Sequence, residues 1–401
     1  MDRVAVLDFP LEEYAERIKR ICREMADANC DGVMITLYEN MRYFCGMQPP
    51  FWFDKLEQPG VLLIARDGAK YVVCPEKRRA AFENGSTLKA NEIISFDSAA
   101  EPGGPSRFVE AVSQAIERLG LQNGRIGHEY GPGSRLHICY NDYMALKSRL
   151  GDRLAPFSQN IWNIRSIKSP REIAVMRQVC EISGKCYEKA FQSVVLDKST
   201  ETDIYEIFSQ EAFRLGADGM PPLIVFFGQE RYLQVNCPPT NRRVITSKKH
   251  EMLQIDCGPS LKGYITDTIR NAVVGGLSPR QQEMQKVVDG ALDLCLRMAK
   301  PGVRSGDICD KVDQYYEKMG YGEWNISKGF AGHGLGLDVH ELPTITSNSD
   351  TVLQAGMVLA FEPILMEPDT GIYVTEHNVL VTENGCENLT PWLPEIYVLE
   401  S

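Results

Sequence analysis

Four acidic residues lie inside or at the ends of apolar runs in the second half of this chain, and they restrict its fold more than any other feature. The runs read LQIDCG, YITDTIR, VLAFEPI and GIYVTEHNVLV, and the acids are Asp256, Asp267, Glu362 and Glu376. Runs of this composition form strands, yet Asp is a poor strand former, and a carboxylate buried without a partner costs several kcal/mol. A fold that buries these strands must bring the acids together and supply positive charge between them.

The histidines sharpen this. The chain has six in 401 residues, and two of them, His333 and His340, fall in AGHGLGLDVHE, residues 331–341. A spacing of seven would place both on one face of a helix, but Gly332, Gly334 and Gly336 disfavour a helix, so the segment reads as strand and tight loop. Glycines around His333 permit close backbone approach. Four carboxylates and one imidazole, expected on separate strands of one sheet, make a mostly oxygen donor set. It suits Mn, Co, Fe or Zn and not soft copper or iron–sulfur sites. Five such ligands with bridging carboxylates can hold two metals about 3.5 Å apart, which lowers the pKa of a shared water and polarises a carbonyl. The chemistry expected is hydrolysis of an amide or similar bond. Any one of these residues alone is more readily an edge residue or a solvated strand end; the ordered combination carries the reading.

The net charge of −11 argues against a nucleic-acid backbone or an anionic membrane as partner, since both attract basic surfaces. No apolar run reaches the ~18 residues of a membrane span. The opening MDRVAVLDFPLEEY lacks a signal-peptide core, so a soluble, cytoplasmic protein is expected. Twelve cysteines without a CxxC pair read as reduced thiols packed as small hydrophobes.

Length predicts two domains. The first half alternates helix and strand: a helix in 11–30 with Tyr14, Ile18, Ile21 and Met25 on one face, a strand in DGVMITL, a hairpin turning at Asp67-Gly68, a helix capped by Ser106, and a strand in GRIGHEYG. Ser169, Pro170 and Glu172 form a strong helix start, which sets domains at 1–165 and 166–401. Helices at about 170–192, 201–215, 279–299 and 305–319 then flank consecutive, hairpin-like strands, an α+β pattern. No phosphate-loop or dinucleotide glycine motif is present.

In this order, IDCG, YITDTIR, GHGLGLDVHE, FEP and TEHNVLVTENG resemble the pita-bread metallopeptidases: methionine aminopeptidase, aminopeptidase P, prolidase and their relative creatinase. NIRSIKSPREIAVMR is similar to that family's interdomain joint. The resemblance implies a C-terminal pita-bread (creatinase/aminopeptidase) domain behind an N-terminal α/β creatinase-type domain. It also implies two divalent metal ions, with Mn first among Mn, Co, Fe and Zn. Asp256 would chelate one metal and Asp267 and Glu376 would bridge both; His333 would be the sole imidazole ligand. Glu362 would bind metal and shuttle the proton of the attacking water. His340 would contact substrate and stabilise the tetrahedral intermediate.

Three positions depart from the proline-specific peptidases. Gly329 replaces a histidine four residues before the metal histidine. QVNCPPTNRR offers Asn236 or Cys237 where a catalytic histidine is expected, making Asn236 a substrate-contact candidate. Val374 stands where an arginine is common. The leading expectation is a dinuclear Xaa-Pro dipeptidase- or aminopeptidase-like hydrolase of an amide C–N bond in a small peptide, working as a homodimer. The alternative is a creatinase- or ectoine-hydrolase-like enzyme acting on a small osmolyte or amidine, favoured by Gly329 and Asn236. An inactive binding protein on the same fold would carry a broken ligand set, and this set is complete. Trp52 and Phe53, in an aromatic stretch of the first domain, are expected to be packing residues.

Overall fold

In a computed structural model the chain divides into two compact units, Met1–Arg165 and Ser166–Ser401. The structure describes residues 7–48, 60–97, 107–131, 135–221, 223–228, 238–256, 258–368, 370–392 and 396–400. Trp52, Phe53, Ser106, Asn236 and Cys237 lie outside these residues.

The first unit is built on a mixed six-stranded sheet with the order Ile93–Phe96, Lys70–Pro75, Val61–Ala65, Gly32–Ile35, Ile126–His128, Leu154–Pro156. Val61–Ala65 and Lys70–Pro75 form the antiparallel hairpin around Asp67-Gly68. Gly32–Ile35 pairs antiparallel with Val61–Ala65 and parallel with Ile126–His128. The helix Leu11–Asp27 buries Tyr14, Ile21 and Met25, spaced to share one face. The helix Arg107–Arg118 covers the sheet, setting Phe108, Val112 and Ala115 against Leu63, Val73 and Ile94. Four further helices, Tyr38–Cys45, Arg79–Gly85, Tyr140–Leu150 and Ser158–Arg165, have seven to eleven residues, short for hydrophobic periodicity to announce them.

This unit also buries polar groups at the end of Ile126–His128. Glu129 accepts hydrogen bonds from Thr36 Oγ1 at 2.7 Å, Leu37 N at 3.0 Å and Asn40 Nδ2 at 2.7 Å. His128 is fully buried, and neither ring nitrogen has a hydrogen-bond partner among the described residues. Burial disfavours its cation and pushes its pKa down to about 3.

In the second unit the helices Pro170–Gln192, Glu201–Arg214, Pro279–Met298 and Ser305–Met319 stand where periodicity predicts them. Ser169 Oγ accepts from Glu172 N while Glu172 reaches back to the Ser169 amide, the reciprocal cap read from the sequence. The strands correct the expectation of one sheet carrying all five donors. They form a four-stranded sheet, Ile396–Leu399, Ile269–Val274, Met252–Asp256, Ile224–Phe227, and a five-stranded sheet, Glu341–Thr346, Phe330–Gly334, Val358–Phe361, His377–Thr382, Gly385–Asn388. The physical reason is that each sheet has its own helical cover. Phe191, Ile204 and Phe208 pack on Val225, Leu253 and Ile255 of the first, whereas Val288, Leu292, Ile308 and Val312 pack on Leu359, Phe361 and Val379 of the second. Neighbouring pairs are antiparallel except Ile269–Val274 with Ile396–Leu399.

Candidate metal centre

The two sheets meet at their polar residues. Asp256 ends Met252–Asp256, opposite Ile269 and Ile224. Asp267 lies in the irregular stretch that leads into Ile269–Val274. From the other sheet come His333, within Phe330–Gly334, Glu362, just past Val358–Phe361, and Glu376, just before His377–Thr382. Most of the donors thus sit at strand ends, where the chain can turn a carboxylate inward without interrupting the ladder.

Hydrogen bonds stitch the sheets together at this point. Glu376 N donates to Ile269 O at 3.3 Å. Asn378 accepts from Asp267 N at 3.2 Å and donates back to Asp267 O. Glu362 N donates to Ala331 O at 3.1 Å, which sets it beside the strand of His333. That strand approaches Val358–Phe361 so closely that a Cβ on Gly332 would lie 2.0 Å from Ala360 O, and Gly332 has φ +149°. Only glycine fits there.

Donor atoms converge in three overlapping groups, each with its atoms within 4.8 Å of one another: Asp256, Asp267 and Glu376; His333, Glu362 and Glu376; and Asp267, His333 and His340. His333 Nε2 lies 3.3 Å from Glu362 Oε1, 3.4 Å from Asp267 Oδ2 and 4.0 Å from Glu376 Oε1. His333 Nδ1 is 2.9 Å from Gly334 O. A carbonyl can only accept, so Nδ1 carries a proton, which leaves Nε2, facing the carboxylates, as the nitrogen that would bind a metal in exchange for its own proton. His340 is exposed in the loop before Glu341–Thr346. The structure therefore brings together Asp256, Asp267, His333, His340, Glu362 and Glu376; Asn236 is not among the described residues.

Electrostatics tests whether this pocket suits cations. Among the described residues, His333 Nε2 and Glu376 Oε1 are buried with no hydrogen-bond partner. Burial raises the pKa of Glu376 well above the usual carboxylate range, and the charges of Asp267, Glu362 and Asp256 add to it, against the opposing effect of Arg270. Burial works against a charged His333, but the carboxylates of Asp267 and Glu362, 3.4 and 3.3 Å from Nε2, outweigh it and raise its pKa to about 10. Four mutually repelling carboxylates that draw a proton onto a buried imidazole form a donor set that fits divalent cations.

Sequence reading had passed over Arg270. It is buried, donating to Glu376 O at 2.6 Å and to Thr390 O at 2.7 Å, lying 3.0 Å from His377 Nδ1 and packing over Trp392. The signal was present in YITDTIR: Arg270 is a charge in an apolar run, the same anomaly that marks the acids. The departures also take form here. Gly329 has φ +82°, a conformation a histidine would adopt only under strain. Val374 is fully buried, and its carbonyl accepts from Asn271 Nδ2 at 2.7 Å.

Comparison with known proteins agrees with this geometry. Residues 174–383 match metallopeptidase family M24, and residues 17–167 match the creatinase/prolidase N-terminal domain. The chain belongs to metallopeptidase family M24 and is a metal-dependent hydrolase with the pita-bread fold. An uncharacterized peptidase of Staphylococcus saprophyticus is 27% identical over 93% of this chain and 99% of its own. The Xaa-Pro dipeptidase of Pyrococcus furiosus is 24% identical over 94% of this chain and 97% of its own. The structure of an Xaa-Pro dipeptidase from Bacillus anthracis superposes with a TM-score of 0.80 at 24% identity, covering 96% of this chain and 100% of that one.

Proposed function

We propose that this chain is a dinuclear metal dipeptidase that cleaves the amide bond of small Xaa-Pro-type peptides, acting as a homodimer. The observation that carries the reading is the convergence of Asp256, Asp267, His333, Glu362 and Glu376 through donor groups no wider than 4.8 Å. Four carboxylates and one neutral imidazole balance two divalent cations in charge, which favours a pair over a single ion; Mn is the first candidate, ahead of Co, Fe and Zn. Bound there, the cations would supply a water acidic enough to ionise near neutral pH and would polarise the substrate carbonyl.

The chain's own groups do the rest. Asp267 and Glu376 each belong to two of the donor groups, so they would be shared by a pair of ions, with Asp256 helping to hold one and His333 and Glu362 the other. Glu362 is the least buried of the group beside His333, at 15% side-chain exposure, so it is placed to take a proton from water and return it to the leaving amine. His340 stands at the open side and can donate to an oxygen gaining charge at the carbonyl carbon. The Xaa-Pro dipeptidases among the relatives support the peptide assignment.

A second reading, a creatinase- or ectoine-hydrolase-like enzyme for a small amide or amidine, is favoured by Gly329 and Asn236, which stand in the sequence where the proline-specific peptidases have histidines. Assays with added Mn(II) against Xaa-Pro dipeptides, ectoine and creatine decide between them. Turnover of the dipeptides alone supports the first reading, and turnover of a metabolite alone replaces it with the second.

A further inference from the structure

The loop that presents His340 is held by a buried ion pair that the chemistry above does not use. Lys168 stands just before the helix Pro170–Gln192, its backbone fixed by Lys168 N donating to Gly356 O at 2.9 Å. Lys168 Nζ lies 3.0 Å from Glu341 Oε2, and each side chain is 1% exposed. The other oxygen, Glu341 Oε1, accepts from Leu337 N at 2.9 Å and from Asp338 N at 3.3 Å. One carboxylate thus gathers an ammonium and two amides, and the amides belong to the loop that ends in His340, the residue before Glu341.

Two more contacts fasten the same region. Ile265 N donates to Gly336 O at 2.9 Å, tying the loop to a point two residues before Asp267. Tyr264 donates its hydroxyl to Glu172, four positions beyond Lys168, while Glu172 also accepts from Ser169 N at 2.8 Å. The segment 168–172 therefore touches both the loop of His340 and the strand leading to Asp267.

A buried ion pair is a weak device for stability, because desolvation offsets much of the attraction and an apolar pair of similar volume does as well. It does fix direction: with its ammonium in place the Glu341 carboxylate is confined to one orientation and aims at both amides. We propose that Lys168 is a positioning residue, holding the loop of His340 through Glu341 so that the imidazole stays beside His333 and Asp267. This rests on the role of His340 given above.

The test compares the full-length enzyme with Lys168→Met and with Lys168→Met/Glu341→Gln. The double variant removes both charges yet keeps an acceptor for the loop amides, so it folds even if the single variant does not. Hydrogen exchange at Leu337 and Asp338 is expected to accelerate at least tenfold, while sheet amides around Leu359 and Val379 stay unchanged. Bound Mn should match wild type, and kcat should fall about 10- to 100-fold with KM within about threefold. Unchanged loop exchange, or unchanged kcat despite a loosened loop, in the folded double variant would overturn the proposal. Exchange needs no substrate, so a wild-type enzyme inert toward every peptide would refute the hydrolase reading while accelerated exchange still supported the brace.

Discussion

The imidazoles of His333 and His340 meet edge to face, with ring centroids 4.3 Å apart and planes crossed at 82°. The contact sets an imidazole from the strand Phe330–Gly334 against one from the loop before Glu341, the arrangement that the proposed division of work between cation and substrate requires. His333→Ala should therefore lose bound metal, whereas His340→Asn should keep it and lose about 10²–10³ in kcat, the effect of removing one donor to a developing oxyanion. Metal analysis on both purified variants, with kinetics on the second, measures the difference. Equal metal loss in the two would make His340 a ligand.

Glu362→Gln preserves size and removes only the proton acceptor. The variant should fold, retain most of its metal and turn over about 10²–10⁴-fold more slowly, the usual contribution of a general base. Activity within threefold of wild type would assign the proton transfer elsewhere.

Removing the cations should destabilise the second unit, because the carboxylates around His333 then repel one another. A metal present at about a hundred times its Kd contributes about 2.7 kcal/mol, so chelation should lower Tm by about 5–10 °C. Calorimetry before and after dialysis against EDTA, then with Mn(II) restored, reads the loss and its recovery.

The first unit should be acid-sensitive at His128. Its pKa is lowered by burial from 6.5 to about 3, so between those values the unfolded chain binds a proton that the folded chain refuses. Stability attributable to this group is intact above pH 6.5 and falls by about 1.4 kcal/mol per pH unit as pH drops below it. Urea denaturation at pH 7, 6 and 5 should show a steeper decline for wild type than for His128→Leu; parallel declines would discard the assignment.

What could be read from the sequence was what is local or anomalous. The cap at Ser169 and Glu172 and the turn at Asp67-Gly68 depend on a few neighbouring residues, so both were visible and both form. The convergent acids were visible because each contradicts its apolar surroundings. The division into two sheets was hidden, since alternation along a strand says which residues are buried but not which helix covers them. The pairing of Lys168 with Glu341 was hidden for a similar reason. The partners are 173 positions apart, and each alone looks like an ordinary surface charge. Gly329 was visible as an absent histidine, but its left-handed backbone appears only in the fold.

The origin of the donors in two sheets has a consequence for assembly. Asp256 and Asp267 precede the helices Pro279–Met298 and Ser305–Met319, and His333, Glu362 and Glu376 follow them. A nick between residues 275 and 329 would leave one fragment with a pair of aspartates and another with the remaining three, neither able to retain the ions by itself. In the proposed centre the cations would act as a rivet through two plates, whose full donor set exists only once both halves have folded and met.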